Sequence, residues 1–505
     1  MSATSSRYAN SGPASADTAS GAATSGVAQP DPRTVVRALA DFAVTARDHG
    51  VGARLRDDAA RRVLDVLGNS LAAQRTPAAT AVHALIEEWS GHPRATALGM
   101  PGRYPEPSAA LLNGTLAHAL DFDDTHLPSV LHPSASVVPA ALAVAESVHA
   151  SGAALLDAVA VGVELTVRLG MAGYDEKLGN SVYFERGLHA TAICGTLGGA
   201  AAAAMLWGLD GPGIAHAIGI AASMGSGLLE ANRTGGTVKR VHCGWAAHAA
   251  VTAASLARHG ITGPPTVIEG RFGLLQAFCG EHAVPAAITD GLGEHWELPG
   301  VFFKPYPCNH FTHAGIDAAL RLRARGVVAD DITRLVLGAP TPVLRTIGEP
   351  VAAKRNPESG YHAAFSGPYT VAAALLGGGG LGVFHEDFTD EAARNPVRLA
   401  LAAKVECRPD SHCDEIFPHQ FPAVLTAELR DGSTLTERVD VNRGGPGNPL
   451  SAEELAAKFR LNTADILSPA TADDISETVY GLADLTDLDP LLRLLRHSGP
   501  DERQG

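Results

Sequence analysis

A dense group of titratable side chains lies between residues 118 and 134 of the chain. Three carboxylates, three imidazoles and a threonine hydroxyl fall within about fifteen residues, in the order His118, Asp121, Asp123, Asp124, Thr125, His126 and His132. Charged residues make up only 18% of the chain, so a solvated surface of this protein would not be expected to carry so many. Acids and bases held this close together are suited to moving protons at a small substrate.

The spacing of this group leaves three interpretations open. In the first, a base and an acid act on opposite faces of a small substrate and catalyse abstraction of an α-proton and elimination. In the second, the aspartates and histidines form a hydrogen-bond network that caps a helix. In the third, the Asp-x-Asp pair and a histidine supply hard ligands to a metal ion.

A further histidine stands next to a stretch of small residues. His189 immediately precedes Thr191–Leu206, which is rich in alanine and glycine and predicts a tightly packed central helix. The partial positive charge of a helix N-terminus attracts anions and lowers the pKa of an imidazole. His189 is therefore a candidate site residue, and a satisfied core histidine is the alternative.

A basic loop supplies candidate anion-binding groups. Arg233, Lys239, Arg240 and His242 surround a Gly-Gly pair between two apolar stretches. Guanidinium and ammonium groups in such a loop make a good cradle for a carboxylate. A solvated charge run is the alternative, and the pattern of a phosphate-binding P-loop is absent from the sequence.

Two segments farther along the chain carry additional candidates. The first, at a proposed domain junction where substrate sites often lie, contains Lys304, Tyr306, Cys308, Asn309, His310 and His313. A linker with a capping role is the alternative, and nothing in the sequence indicates a reactive Cys308 thiolate. In the second segment Tyr369 is either a phenolic acid or base or a packing residue.

The bulk composition excludes several classes of partner. The chain has 505 residues, 46% of them apolar, and a formal net charge of −15, which disfavours nucleic acids and anionic membranes as partners. An anionic substrate therefore requires a local basic pocket. Six scattered cysteines without a Cys-x-x-Cys pair predict reduced thiols and a cytoplasmic location. We expect no membrane segment.

The pattern along the chain predicts a mainly α protein with an α+β lid. Residues 1–32 are predicted to be a disordered tail, 33–302 and 449–505 one large all-helical domain, and 303–448 a smaller α+β domain. The predicted helices are Asp57–Leu71, Leu155–Leu169, Thr191–Leu206, His216–Leu229, His313–Arg325, Tyr369–Leu376 and several within Ser451–Arg496. The predicted strands are Ile332–Gly338, Arg398–Glu406 and a hairpin over Val424–Val441 that turns at Asp431-Gly432.

These segments, taken in order, resemble the MmgE/PrpD family, which contains 2-methylcitrate dehydratases, cis-aconitate decarboxylases and some epimerases. The resemblance covers residues 35–495 and includes HALDFDDTH, GLHATAICGTLGGAAAA, VKRVHCGWAAHAA and KPYPCNHFTHAGIDAAL. It implies a homodimer with a site between the helical domain and the lid, and no metal or organic cofactor. The implied function is that of a lyase, a dehydratase or decarboxylase, acting on a small di- or tricarboxylate, and the alternative is an epimerase or isomerase.

The resemblance also implies roles for individual residues. Positions that match active-site positions of cis-aconitate decarboxylases are Asp121, Thr125, His132, His189, Lys239, Lys304 and Tyr369. We predict that the catalytic residues are His132, His189, Lys239, Tyr369 and Asp121, and that the substrate-binding residues are Thr125, Arg240, Lys304, His126, Asn309 and His310. Departures from the family pattern at His126 and Asn309 leave the substrate open.

Overall fold

The computed structural model of the protein describes residues 34–89, 91–231 and 236–496. The predicted tail over residues 1–32 lies outside the described residues, and so does Arg233 of the basic loop.

The first half of the described chain is helical. Its longer helices are Val35–His49, Ala53–Ala72, Pro77–Glu88, Glu106–His118, Ser134–Ser147, Gly152–Met171, Ala190–Leu206, Gly211–Ala221 and His242–Arg258. Shorter helices are Val182–Glu185, Leu274–Phe278 and Ala286–Thr289, and two small antiparallel pairs join Ala95–Thr96 to Arg103–Tyr104 and Tyr174–Asp175 to Asn180–Ser181. The helices predicted over Asp57–Leu71, Leu155–Leu169 and Thr191–Leu206 are confirmed.

Small residues let the central helices approach until their backbones touch. A Cβ atom on Gly198 would lie 2.3 Å from the carbonyl oxygen of Gly162, and one on Gly244 would lie 2.2 Å from that of Leu111. Larger side chains at these positions would push the helices apart. This close packing fixes the starts of the two helices that begin beside His189 and at His242.

The smaller α+β domain, the predicted lid, contains a mixed four-stranded sheet. Its strand order is Val405–Pro409, Ile332–Ala339, Ala423–Leu429 and Thr434–Val439, with the first pair parallel and the other two pairs antiparallel. The predicted hairpin with its turn at Asp431-Gly432 is confirmed. Helices of the lid are His313–Ala324, Thr341–Ile347, Val351–Arg355, Gly360–Ala363, Gly367–Leu376, Asp390–Ala393, Pro396–Ala402 and Ser411–Ile416.

The last part of the chain returns to the helical core. The helices Ala452–Thr463, Pro469–Tyr480 and Asp489–Arg496 follow the lid. The first of them begins with a capping box, in which the Ser451 hydroxyl accepts from the Glu454 amide and the Glu454 carboxylate accepts from the Ser451 amide. Leu455, Phe459 and Ile475 belong to the hydrophobic core of the helical part, whereas the lid has a core of its own.

Two predicted elements were wrong in part. The segment predicted as the strand Arg398–Glu406 forms the helix Pro396–Ala402 and then the strand Val405–Pro409. Asn395 caps that helix through the Val397 and Arg398 amides, and Pro396 occupies its first position, so local start signals outweigh the apolar run.

The helix predicted over His216–Leu229 instead ends at Ala221. Beyond it, the chain pairs with the segment before the helix Ala190–Leu206. The Gly227 carbonyl accepts from the His189 amide at 2.9 Å, and the Leu229 amide donates to the Gly187 carbonyl at 2.8 Å. The small residues that suggested a helix therefore serve to hold the backbone of His189.

Two further expectations from the sequence concern the cysteines and membrane-spanning helices. All six cysteines are unpaired thiols, and five of them are buried. Among the described residues, none of the helices combines the length and the apolar character that crossing a bilayer requires.

Candidate active site

The loop after the helix Glu106–His118 holds Asp121 in an uncommon backbone conformation. The φ angle of Asp121 is +53°, in the left-handed region that residues other than glycine rarely occupy. The next carbonyl, that of Phe122, accepts from Lys458 Nζ at 2.9 Å and from Asn69 Nδ2 at 3.1 Å. Lys458 Nζ also lies 3.7 Å from the centroid of the Phe122 ring. The surrounding structure thus maintains the local strain at Asp121.

Lys458 is expected to be essential for stability although it lies far from this loop in sequence. It is 1% exposed, and its Nζ is 2.6 Å from Asp65 Oδ1. Lys458→Met would leave the Asp65 carboxylate and the Phe122 carbonyl without this donor, so we expect the free energy of unfolding to fall by about 3–5 kcal/mol. Urea unfolding measures this loss. The double variant Lys458→Met/Asp65→Asn should recover part of it, and a loss below about 1 kcal/mol in the single variant would contradict the prediction.

Asp121 joins two lysines from distant parts of the chain. Its Oδ1 lies 3.4 Å from both Lys239 Nζ and Lys304 Nζ, and Lys304 also donates to the Asp121 carbonyl at 2.8 Å. Burial alone would raise the pKa of Asp121, but the two ammonium groups hold it well below its usual range. Burial likewise opposes charge on Lys239, yet Asp121 raises the pKa of this lysine. Both groups are therefore charged at neutral pH.

A group of imidazoles lies beside these charges. The ring centroids of His118 and His132 are 5.2 Å apart, those of His118 and His189 are 5.5 Å apart, and those of His189 and His242 are 5.1 Å apart. Nδ1 of His118 is 2.8 Å from Asp123 Oδ2. The structure thus brings together histidines from the loop, from the start of one central helix and from the start of another.

His132 is held by its own loop. Its Nδ1 lies 2.6 Å from the Asp124 carbonyl and 3.3 Å from Thr125 Oγ1, and its backbone amide donates to Thr191 Oγ1 at 3.0 Å. The contact with a carbonyl requires a proton on Nδ1, which leaves Nε2 as the basic nitrogen of the neutral ring. Thr125 therefore positions His132.

Burial keeps the imidazoles of His132, His189 and His242 neutral. It lowers the pKa of His132 to about 3 and that of His242 to about 4, and it lowers the pKa of His189 well below the usual value, with nearby cations adding to the effect. Burial alone would raise the pKa of Asp123, but the 2.8 Å contact with His118 Nδ1 and the positive charge of nearby Lys304 lower it to about 2. The site thus combines neutral imidazoles with charged lysines and carboxylates.

The neutral imidazoles predict a loss of stability in mild acid. Burial lowers the pKa of His126 and that of His132 to about 3, whereas an unfolded histidine titrates near 6.5. As the pH falls below about 6.5 the unfolded chain takes up protons first, so the stabilising contribution is complete above this pH and is lost toward pH 3. At pH 5 each such ring is expected to lower the free energy of unfolding by about 2 kcal/mol.

Asp124 opposes this loss of stability in part. Burial raises its pKa to about 6, so the folded chain takes up this proton before the unfolded chain does. Urea unfolding at pH 7 and pH 5 measures the balance. We expect a lower free energy of unfolding at pH 5, and a smaller change in His126→Asn than in the wild type. Equal stabilities of the wild type at the two pH values would contradict the assignment of neutral buried imidazoles.

Asp124 links the loop to two neighbouring helices. Its Oδ2 accepts from Arg62 at 2.8 Å and from the Ser134 hydroxyl at 2.5 Å, and both Asp124 and Arg62 are 1% exposed. This carboxylate is therefore occupied by structural contacts, and the second interpretation of the loop, a hydrogen-bond network, is correct for part of it.

The junction segment contributes a histidine without hydrogen-bond partners. His310 is buried, and neither of its ring nitrogens makes a hydrogen bond. Burial and the nearby charge of Lys304 lower its pKa well below the usual value. Asn309 next to it caps the following turn, because its Oδ1 accepts from the Phe311 amide at 3.1 Å. His310 thus lies unpaired near Lys304, and Asn309 is occupied by its cap.

Comparison with known proteins agrees with this architecture. The sequence profile of the MmgE/PrpD N-terminal domain matches residues 37–286, and that of the MmgE/PrpD C-terminal domain matches residues 306–483. The chain belongs to the MmgE/PrpD family. The predicted family and the predicted fold, a large helical domain with a smaller α+β domain, are both confirmed.

Several relatives in this family carry the same name. The chain is 32% identical over 463 residues to the cis-aconitate decarboxylase of Homo sapiens, which covers 88% of this chain and 90% of the human protein. It is 32% identical over 458 residues to that of Mus musculus, covering 86% and 88%. The cis-aconitate decarboxylase of Aspergillus terreus is 29% identical over 409 residues, covering 77% and 81%.

Two predicted site residues of this MmgE/PrpD protein lie away from the lysines. The Tyr369 hydroxyl donates to the Asp387 carbonyl at 2.7 Å and accepts from Arg398 at 3.1 Å, within the core of the lid. Nδ1 of His126 lies 2.7 Å from the Ser129 hydroxyl, and its pKa is affected by Arg62 rather than by the lysines. Their predicted roles stay predictions, and these contacts give both of them a structural function.

A different tyrosine, Tyr361, lies against Arg240 of the basic loop. The Arg240 guanidinium lies 5.5 Å from the centroid of its ring. Burial raises the pKa of Tyr361, the negative charge of Asp121 adds to this effect, and the positive charges of Lys239 and Arg240 oppose it. We did not predict Tyr361 from the sequence. It lies in the short helix Gly360–Ala363, beside His362.

Removing the Tyr361 ring is expected to weaken substrate binding. A guanidinium over an aromatic ring contributes about 0.5–1 kcal/mol at an exposed site, so Tyr361→Ala should raise KM about two- to fivefold by releasing Arg240. Tyr361→Phe keeps the ring and should behave as the wild type. Steady-state kinetics with the wild type and both variants measure KM. An equal rise of KM in Tyr361→Ala and Tyr361→Phe would assign the role to the phenolic hydroxyl and not to the ring.

Proposed function

We propose that this MmgE/PrpD protein is a decarboxylase of a small tricarboxylate of the cis-aconitate type, working by acid–base chemistry without a metal or an organic cofactor. One observation carries the proposal: Lys239 and Lys304 meet in a buried site beside the imidazoles of His132 and His189. The names of the relatives support decarboxylation over dehydration or epimerisation. The site is nearly closed, since the side chains of Lys239 and Lys304 are 13% and 1% exposed. Entry of a substrate therefore requires the lid to open.

The lysines and Arg240 bind the carboxylates. Charge-assisted hydrogen bonds are stronger than neutral ones, and a buried setting strengthens them further. Asp121 lies between the two ammonium groups and keeps them close together. The unpaired nitrogens of His310 offer a further hydrogen bond to the substrate.

Decarboxylation requires charge stabilisation and then a proton. The bond between the carboxylate carbon and its neighbour breaks, carbon dioxide leaves, and the electron pair remains on the substrate. Lysines that hold a second carboxylate stabilise this charge when the pair delocalises toward it. A bound polyanion also raises the pKa of the neighbouring imidazoles, so that His132 or His189 becomes protonated and then donates to carbon.

The proposed oligomeric state is a homodimer, and the proposed location is the cytoplasm. The family resemblance supports a homodimer, and Val238, Trp245 and Leu228 expose apolar surface near the basic loop. Sedimentation equilibrium should give twice the mass of one chain, and a monomer at micromolar concentration would overturn this part. The unpaired thiols support a cytoplasmic location.

A proton NMR time course identifies the reaction. Chelator-treated protein in heavy water is incubated with cis-aconitate, with 2-methylcitrate and with related hydroxy- and amino-dicarboxylates. The proposal predicts that cis-aconitate is consumed and that its decarboxylated product carries one deuterium at the protonated carbon. Loss of water from 2-methylcitrate instead would indicate a dehydratase. Exchange at an α-carbon without net conversion would indicate an epimerase or isomerase.

A further inference from the structure

A buried cysteine, Cys243, lies close to His118 and Asp123 of the candidate active site. Cys243 is the second residue of the helix His242–Arg258 and is fully buried. One ligand atom each from His118, Asp123 and Cys243 lie within 4.8 Å of one another. Among the described residues this is the one group of three potential metal ligands that close together, and it includes neither Asp121 nor Asp124.

The polar atoms of this group are incompletely satisfied. Nε2 of His118 and Oδ1 of Asp123 are buried and make no hydrogen bond. Buried polar atoms without partners are rare in folded proteins and call for an explanation. The other atoms of the same two side chains, Nδ1 and Oδ2, are 2.8 Å apart, so the imidazole is already oriented by a carboxylate. A cation held by both residues would take Nδ1 and a carboxylate oxygen in place of the proton that they share, because Nε2 points to the opposite side of the ring.

We propose that His118, Asp123 and Cys243 form a binding site for a thiophilic divalent cation, of which Zn²⁺ is the type, and that its occupation inhibits the enzyme. Nitrogen, oxygen and sulfur donors together suit Zn²⁺, which takes four ligands and tolerates a mixed set. Hard cations such as Mg²⁺ prefer oxygen ligands alone and are not expected to bind. The Cys243 thiol gives up its proton to the solvent as the metal binds.

Inhibition follows from the position of the site. His118 packs against the rings of both His132 and His189, the proposed proton donors. A cation at this point withdraws His118 from its packing against these two rings and Asp123 from its place 3.8 Å from His132 Nδ1. This part of the inference rests on the proposed function, whereas metal binding itself does not.

Cobalt spectroscopy tests the binding without any assay of activity. Chelator-stripped protein is titrated with Co²⁺ alone, and a thiolate ligand gives a near-ultraviolet sulfur-to-cobalt charge-transfer band. We expect this band in the wild type, its displacement by Zn²⁺, and its loss in Cys243→Ser. Cys407→Ser, a partly buried cysteine of the lid, is the matched control and should keep the band. A wild type without the band, or a band that survives Cys243→Ser, overturns the site.

Inhibition is then measured as the Zn²⁺ concentration that halves each protein's own metal-free rate. We expect Cys243→Ser to raise this concentration about tenfold or more and Cys407→Ser to leave it unchanged. A protein that shows the cobalt band yet turns over equally well with Zn²⁺ keeps the binding site and overturns the inhibition. A protein that shows the band but acts on no carboxylate contradicts the proposed function and leaves the binding site standing.

Discussion

Lys304→Met is expected to lower kcat/KM for a tricarboxylate about a thousandfold, or about 4 kcal/mol of transition-state stabilisation. Lys304 is 1% exposed, and its Nζ contacts both the carbonyl and the carboxylate of Asp121. Methionine preserves the length and apolar character of the side chain but removes its charge and its donors. The bound substrate and the developing negative charge both lose this partner, so kcat should fall and KM should rise.

Steady-state kinetics with the purified variant measure this effect, and Lys404→Met is the matched control. Lys404 donates to the Ile332 carbonyl in the lid and has no contact with Asp121, so its replacement should leave kcat/KM within about threefold of the wild type. Circular dichroism shows whether both variants are folded. A folded Lys304→Met protein with near-wild-type kcat/KM would remove this lysine from the mechanism.

His132→Asn is expected to lower kcat about a hundred- to ten-thousandfold, the usual contribution of a positioned acid or base. Asparagine preserves a donor toward the Asp124 carbonyl, which His132 Nδ1 contacts at 2.6 Å, but it cannot accept and return a proton at neutral pH. Substrate binding should change little, so KM should remain within a few-fold of the wild-type value.

His412→Asn, at an exposed position of the lid, controls for the general effect of removing a histidine. His189→Asn made in parallel separates the two candidate donors. If His132→Asn keeps its kcat while His189→Asn loses it, His189 is the donor. Near-wild-type turnover in two of the three variants His132→Asn, His189→Asn and Lys239→Met would contradict the assignment of the site.

Local sequence signals were sufficient for much of the fold. The apolar runs of Leu155–Leu169, the small residues of Thr191–Leu206 and the capping box at Ser451 each carry their own structural information, and the structure contains all three elements. Where a start signal competed with an apolar run, as at Asn395-Pro396, the start signal prevailed and the strand prediction failed.

The candidate site was only partly predictable for a physical reason. Residue type and order indicate Asp121, His132 and Lys304, because charged residues make up only 18% of this chain. They do not indicate which buried polar groups support the loop. Lys458 lies 336 residues from Phe122, and its contact with that carbonyl exists only once the C-terminal helices pack back on the helical core. The contact of Tyr361 with Arg240 likewise depends on how the lid sits over the helical part.

The most direct test of the proposed activity is the rate of carbon dioxide release from cis-aconitate by chelator-treated protein, measured side by side for the wild type, Lys304→Met and His132→Asn. We expect sustained release by the wild type and a loss of a hundredfold or more in both variants. A folded wild type that releases no carbon dioxide, or variants that release it at the wild-type rate, would contradict decarboxylation at this site.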